Sequence, residues 1–325
     1  MANSSRNKSR AARRAAEARA ETAAREQAER ERRQQTVIGA IVVVLIVALL
    51  AVGGVMFWRS THQAADDAAA EMSVDDAYAA VQAVAAKPAR ADDKGGIMIS
   101  KDGYGTTVDG APTVAIYMDF MCPGCGSVNR QLDPTLVTLV DAGQINLELH
   151  VLSFMDRYST DEYSSRAANA ALYIADHDDD PSHLLDFVAN MYADDFQPEE
   201  GSGYEPVSDD EIRQQALDAG VAKDVAAAAM TRDYDDWLAA VNTYTPKRPE
   251  LFNTSGSFEG TFTTPAITIN GTRWDLSAVT SAGMTIKDGF LDTIGLDADK
   301  LGDAATMPSI GADGAPIDAM TGQSE

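Results

Sequence analysis

The run Thr113-Val-Ala-Ile-Tyr-Met-Asp-Phe-Met-Cys-Pro-Gly-Cys125 is the most informative part of this 325-residue sequence. Its first half is β-branched and aromatic, which is typical of a short buried strand. Apolar residues at helical spacing follow from Val128 to Val140, and a proline directly after Cys122 suits the first turn of a helix. Residues 145–152 then alternate apolar and polar as a second strand. The two cysteines are therefore predicted at the strand-to-helix turn of a βαβ unit.

Beyond this unit the pattern changes from strands to helices and back. Residues 160–250 lose the strand pattern and predict a block of helices. Strand character returns at Thr264-Pro-Ala-Ile-Thr-Ile269, where Asn270-Gly271 supplies a two-residue hairpin turn. A last helix is predicted over Ile286–Ile294. The sequence therefore predicts an α/β domain over residues 96–296, with a helical subdomain inserted at about 160–250.

The overall net charge of −24 hides a sharp division along the chain. Residues 1–36 carry a net charge of +5, whereas the chain from Arg59 onward carries −29. So acidic a chain argues against nucleic acid as a partner, because binding polyphosphate needs clustered Lys and Arg. The basic arm, 1–36, is interpreted as a solvated topology determinant, with attraction to anionic lipid headgroups as the alternative.

The segment between the two charged parts is apolar. Val37–Trp58 contains 22 residues without one charged side chain. As a helix it would be about 33 Å long, enough for a hydrocarbon core of about 30 Å. A cleaved signal peptide would have a shorter apolar core, of about 7–15 residues, and a shorter basic region. The segment therefore predicts one transmembrane helix, 37–58, acting as a signal-anchor. By the positive-inside rule the N-terminus is cytoplasmic and the later domain extracytoplasmic at the cell membrane.

Two further segments flank the predicted α/β domain. Residues 59–95 are rich in Ala and Asp and are interpreted as a stalk or linker that contains one helix, Val74–Ala86. Residues 297–325 are rich in Asp, Ala, Gly, Pro and Ser and have few large apolar side chains. This composition predicts a disordered acidic tail.

Cys122 and Cys125 are the chain's two cysteines, so a disulfide-dense scaffold and a four-cysteine zinc site are excluded. The four histidines are scattered, and no metal site is predicted. A structural disulfide closing so short a loop would stabilise the fold only weakly. A thiolate at Cys122 would instead be stabilised by the free N–H groups and dipole of a helix N-terminus, with Cys125 one turn away. The pair is therefore predicted to exchange disulfides, with Cys122 attacking and Cys125 resolving, and to need no cofactor beyond its own redox-active disulfide.

On these motifs the chain resembles the DsbA-like branch of the thioredoxin superfamily, the bacterial extracytoplasmic thiol–disulfide oxidoreductases. The resemblance covers residues 96–296 and rests on Tyr117-Met-Asp-Phe-Met-Cys-Pro-Gly-Cys125, the helical insertion and Thr263-Thr-Pro-Ala-Ile-Thr-Ile-Asn-Gly271. It implies a thioredoxin-like fold, an active-site dipeptide Pro123-Gly124, and a cis-proline pair Thr264-Pro265 beside the disulfide. Such a pair would leave backbone open for an extended substrate. Taken alone, Thr264-Pro265 would be an ordinary trans proline at the start of a strand.

Two departures from the family pattern bear on the direction of electron flow. Strongly oxidising members often carry histidine between the cysteines, where this chain has Gly124. Many members carry an acidic residue six positions before the first cysteine, where this chain has Ile116. Asp119 is the nearest carboxylate in sequence and is a candidate proton relay to Cys125. The alternative for Asp119 is a surface or capping carboxylate.

The sequence therefore predicts a membrane-tethered enzyme that introduces or exchanges disulfides in exported proteins. Its partners would be exported proteins with thiols or disulfides. The resemblance also implies a quinone-linked membrane oxidase that reoxidises the pair. Oxidation, reduction and isomerisation all stay open as the direction of the reaction. Two other function classes also stay open: a non-catalytic tethered module that holds unfolded or partner chains, and a copper-delivery protein, since two thiolates suit Cu(I).

Overall fold

The computed structural model describes residues 71–318. The basic arm, 1–36, and the predicted transmembrane helix, 37–58, lie outside the described residues and stay predictions. Within residues 71–318, no helix combines the length and the apolar character that crossing a membrane requires.

A mixed sheet of six strands, in the order β2-β1-β4-β3-β5-β6, forms the centre of the described domain. The strands are β1 Ile97–Ser100, β2 Gly103–Tyr104, β3 Thr113–Asp119, β4 Asn146–Leu152, β5 Ala266–Ile269 and β6 Thr272–Arg273. β3 and β4 are parallel, with Tyr117 opposite His150, and the other pairs are antiparallel. Parallel neighbours need a crossover connection, which is the helix between them. The predicted βαβ unit is confirmed.

α-Helices cover both faces of this sheet. In the described range they are α1 Val74–Ala83, α2 Pro123–Asp141, α3 Tyr163–His177, α4 Pro181–Met191, α5 Asp209–Asp218, α6 Lys223–Ala228, α7 Asp235–Tyr244, α8 Leu276–Ser281 and α9 Ile286–Ile294. Side chains of β3 alternate between the two faces. Ile116 and Met118 line a cavity together with residues of α2, whereas the carboxylate of Asp119 bonds Ser164 of α3. Helices α2 and α3 therefore lie on opposite faces of the sheet.

The helical block α3–α7 separates β4 from β5, within the range predicted for the insertion. The hairpin that follows turns at Asn270 and Gly271, which both have positive φ, +48° and +80°. Two successive positive φ angles are what a two-residue type I′ turn requires. The Asn270 side chain also accepts a hydrogen bond from the N–H of Thr113, at 2.9 Å, and so ties the turn to the start of β3. The predicted α/β fold with an inserted helical subdomain is confirmed.

The folded domain begins well before residue 96. The sequence places a helix over Val74–Ala86 within a stalk, but the structure packs α1 against α7. Ala77 and Val81, one turn apart on α1, are buried by this contact. Two small apolar residues are too weak a pattern to predict that contact from sequence, since many exposed helices carry as much alanine. This part of the predicted stalk belongs to the domain.

The prediction of a disordered tail is wrong for residues 297–318, which pack against the domain. The buried side chain of Gln144 holds the segment. Its amide and carbonyl bond four backbone groups, the carbonyls of Lys300, Asp303 and Thr306 and the N–H of Gly302. Farther on, the N–H of Ile317 donates to the carbonyl of Thr293 in α9 at 2.9 Å. Polar contacts of this kind leave no hydrophobic periodicity in the sequence. Residues 319–325 lie outside the description.

Candidate active site

Cys122 is the N-cap residue of α2, and Pro123 is the first residue of the helix. The backbone N–H of Cys122 donates to the carbonyl of Asp119 at 2.9 Å, which closes the turn between β3 and α2. The Cys122 Sγ lies 3.5 Å from the carbonyl oxygen of Thr264. Only 6% of Cys122 is exposed. The reactive turn is therefore a tightly held strand-to-helix junction, with the Cys122 sulfur beside the backbone of Thr264.

The two cysteines are free thiols in this structure, and their electrostatics differ. The pKa of the Cys122 thiol is lowered, first by its hydrogen bond with the Cys125 thiol and further by the backbone N–H of Cys125. Burial raises the pKa of the Cys125 thiol well above its usual range. Cys122 is therefore the group that becomes a thiolate while Cys125 keeps its proton. A nucleophilic thiol and a resolving thiol need this division.

The loop before β5 lies directly beside the cysteine pair. The peptide bond between Thr264 and Pro265 is cis, as the resemblance implies. A Cβ added to Gly124 would lie 3.1 Å from Cδ of Pro265 and 3.7 Å from the Cys122 Sγ. Gly124 therefore packs closely under the proline. The structure brings together six of the candidate site residues, Cys122, Pro123, Gly124, Cys125, Thr264 and Pro265.

Asp119, the seventh candidate, is buried behind the turn, so the alternative of a surface carboxylate is wrong. Its carboxylate accepts hydrogen bonds from the N–H groups of Met121 and Met155, both at 3.0 Å, and from the hydroxyl of Ser164 at 2.6 Å. The bond from Met121, two residues on, is a local capping contact. Burial raises the pKa of Asp119 to about 7, against the opposing effect of these hydrogen bonds.

Tyr192 and Gln197, in the segment after α4, also reach the site, and sequence reasoning missed both. The hydroxyl of Tyr192 donates to the backbone carbonyl of Asp119 at 3.0 Å. The side-chain amide of Gln197 donates to the carbonyls of Phe120 and Cys122, at 3.1 and 3.0 Å. A glutamine in a polar stretch far along the chain has no motif around it. Only the fold brings it to the redox turn.

An apolar cavity on the α2 side of the sheet also reaches Cys125. Ile116 of β3 lines it. Asp133 of α2 stands in the same cavity wall. Burial, and then the nearby charge of Asp186, raise the pKa of Asp133 to about 7. The strand side of this cavity is therefore apolar, and its carboxyl group comes from the helix.

Comparisons with known proteins find a matching family model and similar solved structures. A family model described as "Thioredoxin" matches residues 108–288, more than half of the chain. Among solved structures, the chain is similar to DsbA from Mycobacterium tuberculosis, with 27% identity and a TM-score of 0.45, over 65% of this chain and 100% of that one. It is also similar to MdbA, a thiol-disulfide oxidoreductase from Actinomyces oris, with 18% identity and a TM-score of 0.44, over 62% of this chain and 89% of that one.

A curated relative is the serine/threonine-protein kinase PknE of Mycobacterium tuberculosis. It is 31% identical over 107 residues, which make up 33% of this chain and 19% of the kinase. The chain thus spans about a fifth of the length of the curated relatives it matches. The family model, by contrast, covers the βαβ unit, the helical insertion and the hairpin that together form the site. The chain therefore belongs to the thioredoxin family, as its resemblance to the DsbA-like branch of that superfamily predicted.

Proposed function

We propose that this protein is a thiol–disulfide oxidoreductase that acts on exported proteins through Cys122 and Cys125. The observation that carries the proposal is the asymmetry of the pair. Cys122, with a lowered pKa, stands at a helix N-terminus beside the backbone of Thr264, and Cys125, with a raised pKa, is buried behind it. Membership of the thioredoxin family supports the same conclusion.

In the oxidising direction, a substrate thiolate attacks the Cys122 Sγ of the Cys122–Cys125 disulfide. The bond between the two cysteines breaks, its electron pair goes to the Cys125 Sγ, and that sulfur takes up a proton. A mixed disulfide now joins Cys122 to the substrate. A second substrate thiolate attacks the substrate sulfur of this bond and releases Cys122 as a thiolate. The substrate gains a disulfide, and the pair is left reduced by two electrons.

The pKa values of the two thiols suit these steps. A raised pKa keeps the displaced Cys125 protonated, so that it does not readily attack the mixed disulfide again. A lowered pKa makes Cys122 a good leaving group in the second step. Reduction of a substrate disulfide would run through the same steps in reverse. The direction in the cell depends on the reduction potential of the pair relative to its partners.

The backbone of Thr264 is proposed as the surface that aligns the substrate. Its carbonyl lies 3.5 Å from the Cys122 Sγ, close enough to accept an N–H from an extended segment attached to that sulfur. Main-chain pairing of this kind is independent of the substrate's side chains. It therefore suits an enzyme with many exported proteins as substrates.

Asp119 is proposed as a proton relay for Cys125. Its ionised carboxylate raises the pKa of both thiols, which places it within electrostatic reach of them. A buried acid with a pKa of about 7 can take up and return protons at neutral pH. In Asp119→Asn we expect the attack of Cys125 on the mixed disulfide, which is the reverse of the first step above, to slow by about 100-fold, as general acid–base catalysis would predict. Stopped-flow measurements of that step would check this, and an unchanged rate would rule the relay out.

Tethering and recycling complete the proposal. The uncharged segment 37–58 and the charge division around it support a membrane anchor with the catalytic domain on the extracytoplasmic side. Each oxidative turnover leaves the pair reduced, and the chain has no third cysteine to pass the electrons on. A quinone-linked membrane oxidase is proposed to take them.

The two alternative functions lack a comparable observation. A module that only holds unfolded chains does not need two thiols whose pKa values are shifted in opposite directions. For copper delivery, residues 71–318 contain no group of three or more His, Cys, Asp or Glu side chains arranged to hold a metal ion.

The test uses the full-length protein and a reduced, unfolded substrate protein. The oxidised wild type is expected to transfer its disulfide to the substrate. Cys122→Ala is expected to lose this activity by at least about 1000-fold, since the attacked sulfur is gone. Cys125→Ala is expected to accumulate a mixed disulfide visible on non-reducing gels. Ser127→Ala, a change of similar size in the same helix, is the control. Unchanged exchange by Cys122→Ala would refute the proposal.

A further inference from the structure

Gln197 lies in the helical insertion and makes hydrogen bonds to the turn that carries Cys122. Its Nε2 donates to two carbonyl oxygens, that of Phe120 at 3.1 Å and that of Cys122 at 3.0 Å. Its Oε1 accepts from Nη1 of Arg130 at 3.3 Å, and its own backbone N–H donates to Ala193 at 2.9 Å. Because Arg130 is a donor only, it fixes which end of the amide faces the turn.

Gly126 provides the space that this amide occupies. A Cβ added at Gly126 would lie 2.0 Å from Oε1 of Gln197 and 2.8 Å from Nη1 of Arg130. Any side chain at this position would therefore displace the glutamine. Gly126, directly after the Cys122–Cys125 motif, therefore leaves the space that Gln197 of the insertion fills. This fit is independent of the hydrogen bonds to the turn.

We propose that Gln197 is a positioning residue that sets the reduction potential of the Cys122–Cys125 pair. The inference rests on the proposed function, because a tuned potential matters only to a pair that exchanges electrons. It adds to that function a residue outside the motif and assigns the helical insertion a part in the chemistry.

The physical reason lies in the charge distribution around the Cys122 sulfur. A thiolate at a helix N-cap is stabilised by the free N–H groups of the first turn, provided the turn holds the sulfur in front of them. The carbonyl oxygens of Phe120 and Cys122 carry partial negative charge within the turn that holds this sulfur. Two N–H donors from Gln197 neutralise this charge and fix the turn. Both effects favour the thiolate, and hence the reduced form of the pair.

The test measures the redox equilibrium of the full-length protein with glutathione, together with the thiolate titration of Cys122. Gln197→Met removes the donors without adding charge, and we expect it to shift the equilibrium constant toward the disulfide by about threefold. Gln197→Glu adds a negative charge, and we expect it to shift the equilibrium constant toward the disulfide by about tenfold, equivalent to about 30 mV. The control is Gln131→Glu, the same change at an exposed glutamine that donates to Ser127 within α2. We expect its potential to match the wild type.

A second arm guards against misfolded variants. Gly126→Ala is expected to push the amide aside and shift the equilibrium in the same direction as Gln197→Met. In a Gln197→Met background, Gly126→Ala is expected to add no further shift, because the amide is already gone. Equal shifts in both backgrounds, or folded Gln197 variants with the wild-type potential, would overturn the proposal.

The measurement is also independent of the proposed function. Glutathione equilibrium needs no protein substrate, so a pair that fails to oxidise proteins still yields a potential. A wild type that transfers no disulfide to protein substrates but has a Gln197-dependent potential would refute the proposed enzyme function alone. A wild type that oxidises protein substrates but whose potential is unchanged by substitution of Gln197 would refute this inference alone.

Discussion

The two thiols of the site differ in pKa because their immediate surroundings differ. Cys122 and Cys125 are three residues apart and differ little in exposure, 6% against 3%. Their pKa values nevertheless move in opposite directions, because the hydrogen bond from Cys125 is the largest effect on Cys122, whereas burial is the largest effect on Cys125. At the residue scale, hydrogen bonding therefore decides which thiol attacks.

Gly124 offers a direct way to change this balance. A Cβ there would lie 3.7 Å from the Cys122 Sγ, so Gly124→His would place an imidazole next to the sulfur. A positive imidazolium stabilises the thiolate, and we expect the equilibrium with glutathione to shift toward the dithiol by about tenfold, or about 30 mV. Gly124→Ala controls for the contact with Pro265, 3.1 Å away. If the two variants have equal potentials, the charge effect is refuted.

Asp119 is expected to make stability depend on pH. Its pKa is about 7 in the folded state, above the ordinary value of 3.8, so between these values the folded protein holds a proton that the unfolded chain has lost. Stability therefore falls as pH rises from about 4 to about 7, by at most about 1.4 kcal/mol per pH unit, and then levels off.

Denaturant unfolding of wild type and Asp119→Asn at several pH values checks this. The advantage of the wild type over the variant should shrink as pH rises from about 5 to about 7, because only the wild type has the titrating group. Asp141→Asn, the same change at an exposed carboxylate of α2, is the control. A difference between wild type and Asp119→Asn that stays constant with pH would contradict the expectation.

At the scale of elements, strongly patterned segments were predictable from sequence and polar ones were not. Ile286–Ile294 was predicted with the bounds that α9 has in the structure, because its apolar side chains recur at helical spacing. The Cys122 turn was predictable because proline, cysteine spacing and the preceding strand all point to it. Gln197 was not, since its contacts join positions about 75 residues apart. The packing of segment 297–318 was not predictable for a related reason, because the side chain of Gln144 bonds the backbone of the segment.

Gln144 is therefore expected to anchor the C-terminal segment. Gln144→Ala removes a hydrogen-bond partner from four partly buried backbone groups, and we expect a loss of about 1–3 kcal/mol in the free energy of unfolding. Limited proteolysis should also cut near residues 300–306 sooner than in the wild type. Gln131→Ala, at an exposed glutamine, is the control. Wild-type stability together with an unchanged cleavage pattern would count against the anchor.

At the scale of the whole molecule, the domain is longer at both ends than the sequence predicted. A fragment of residues 96–296 lacks α1, whose Ala77 and Val81 pack on α7, and the segment that Gln144 binds. We expect its Tm to be at least about 5 °C below that of a fragment of residues 71–318, since each lost kcal/mol lowers Tm by about 2–4 °C in a domain of this size. Calorimetry of both fragments checks this. Equal Tm values would show that the flanking segments contribute no stability.

The two edges of the sheet have a consequence under the proposed function, in which the domain meets unfolded chains. β2 and β6, the outermost strands of the described sheet, are two residues long each, Gly103–Tyr104 and Thr272–Arg273. A long free edge would invite an extended polypeptide to add itself as a further strand and to aggregate there. Such short edges offer little for an unfolded chain to bind. Under the proposed function, the domain therefore meets unfolded substrates without offering them a strand edge on which to aggregate.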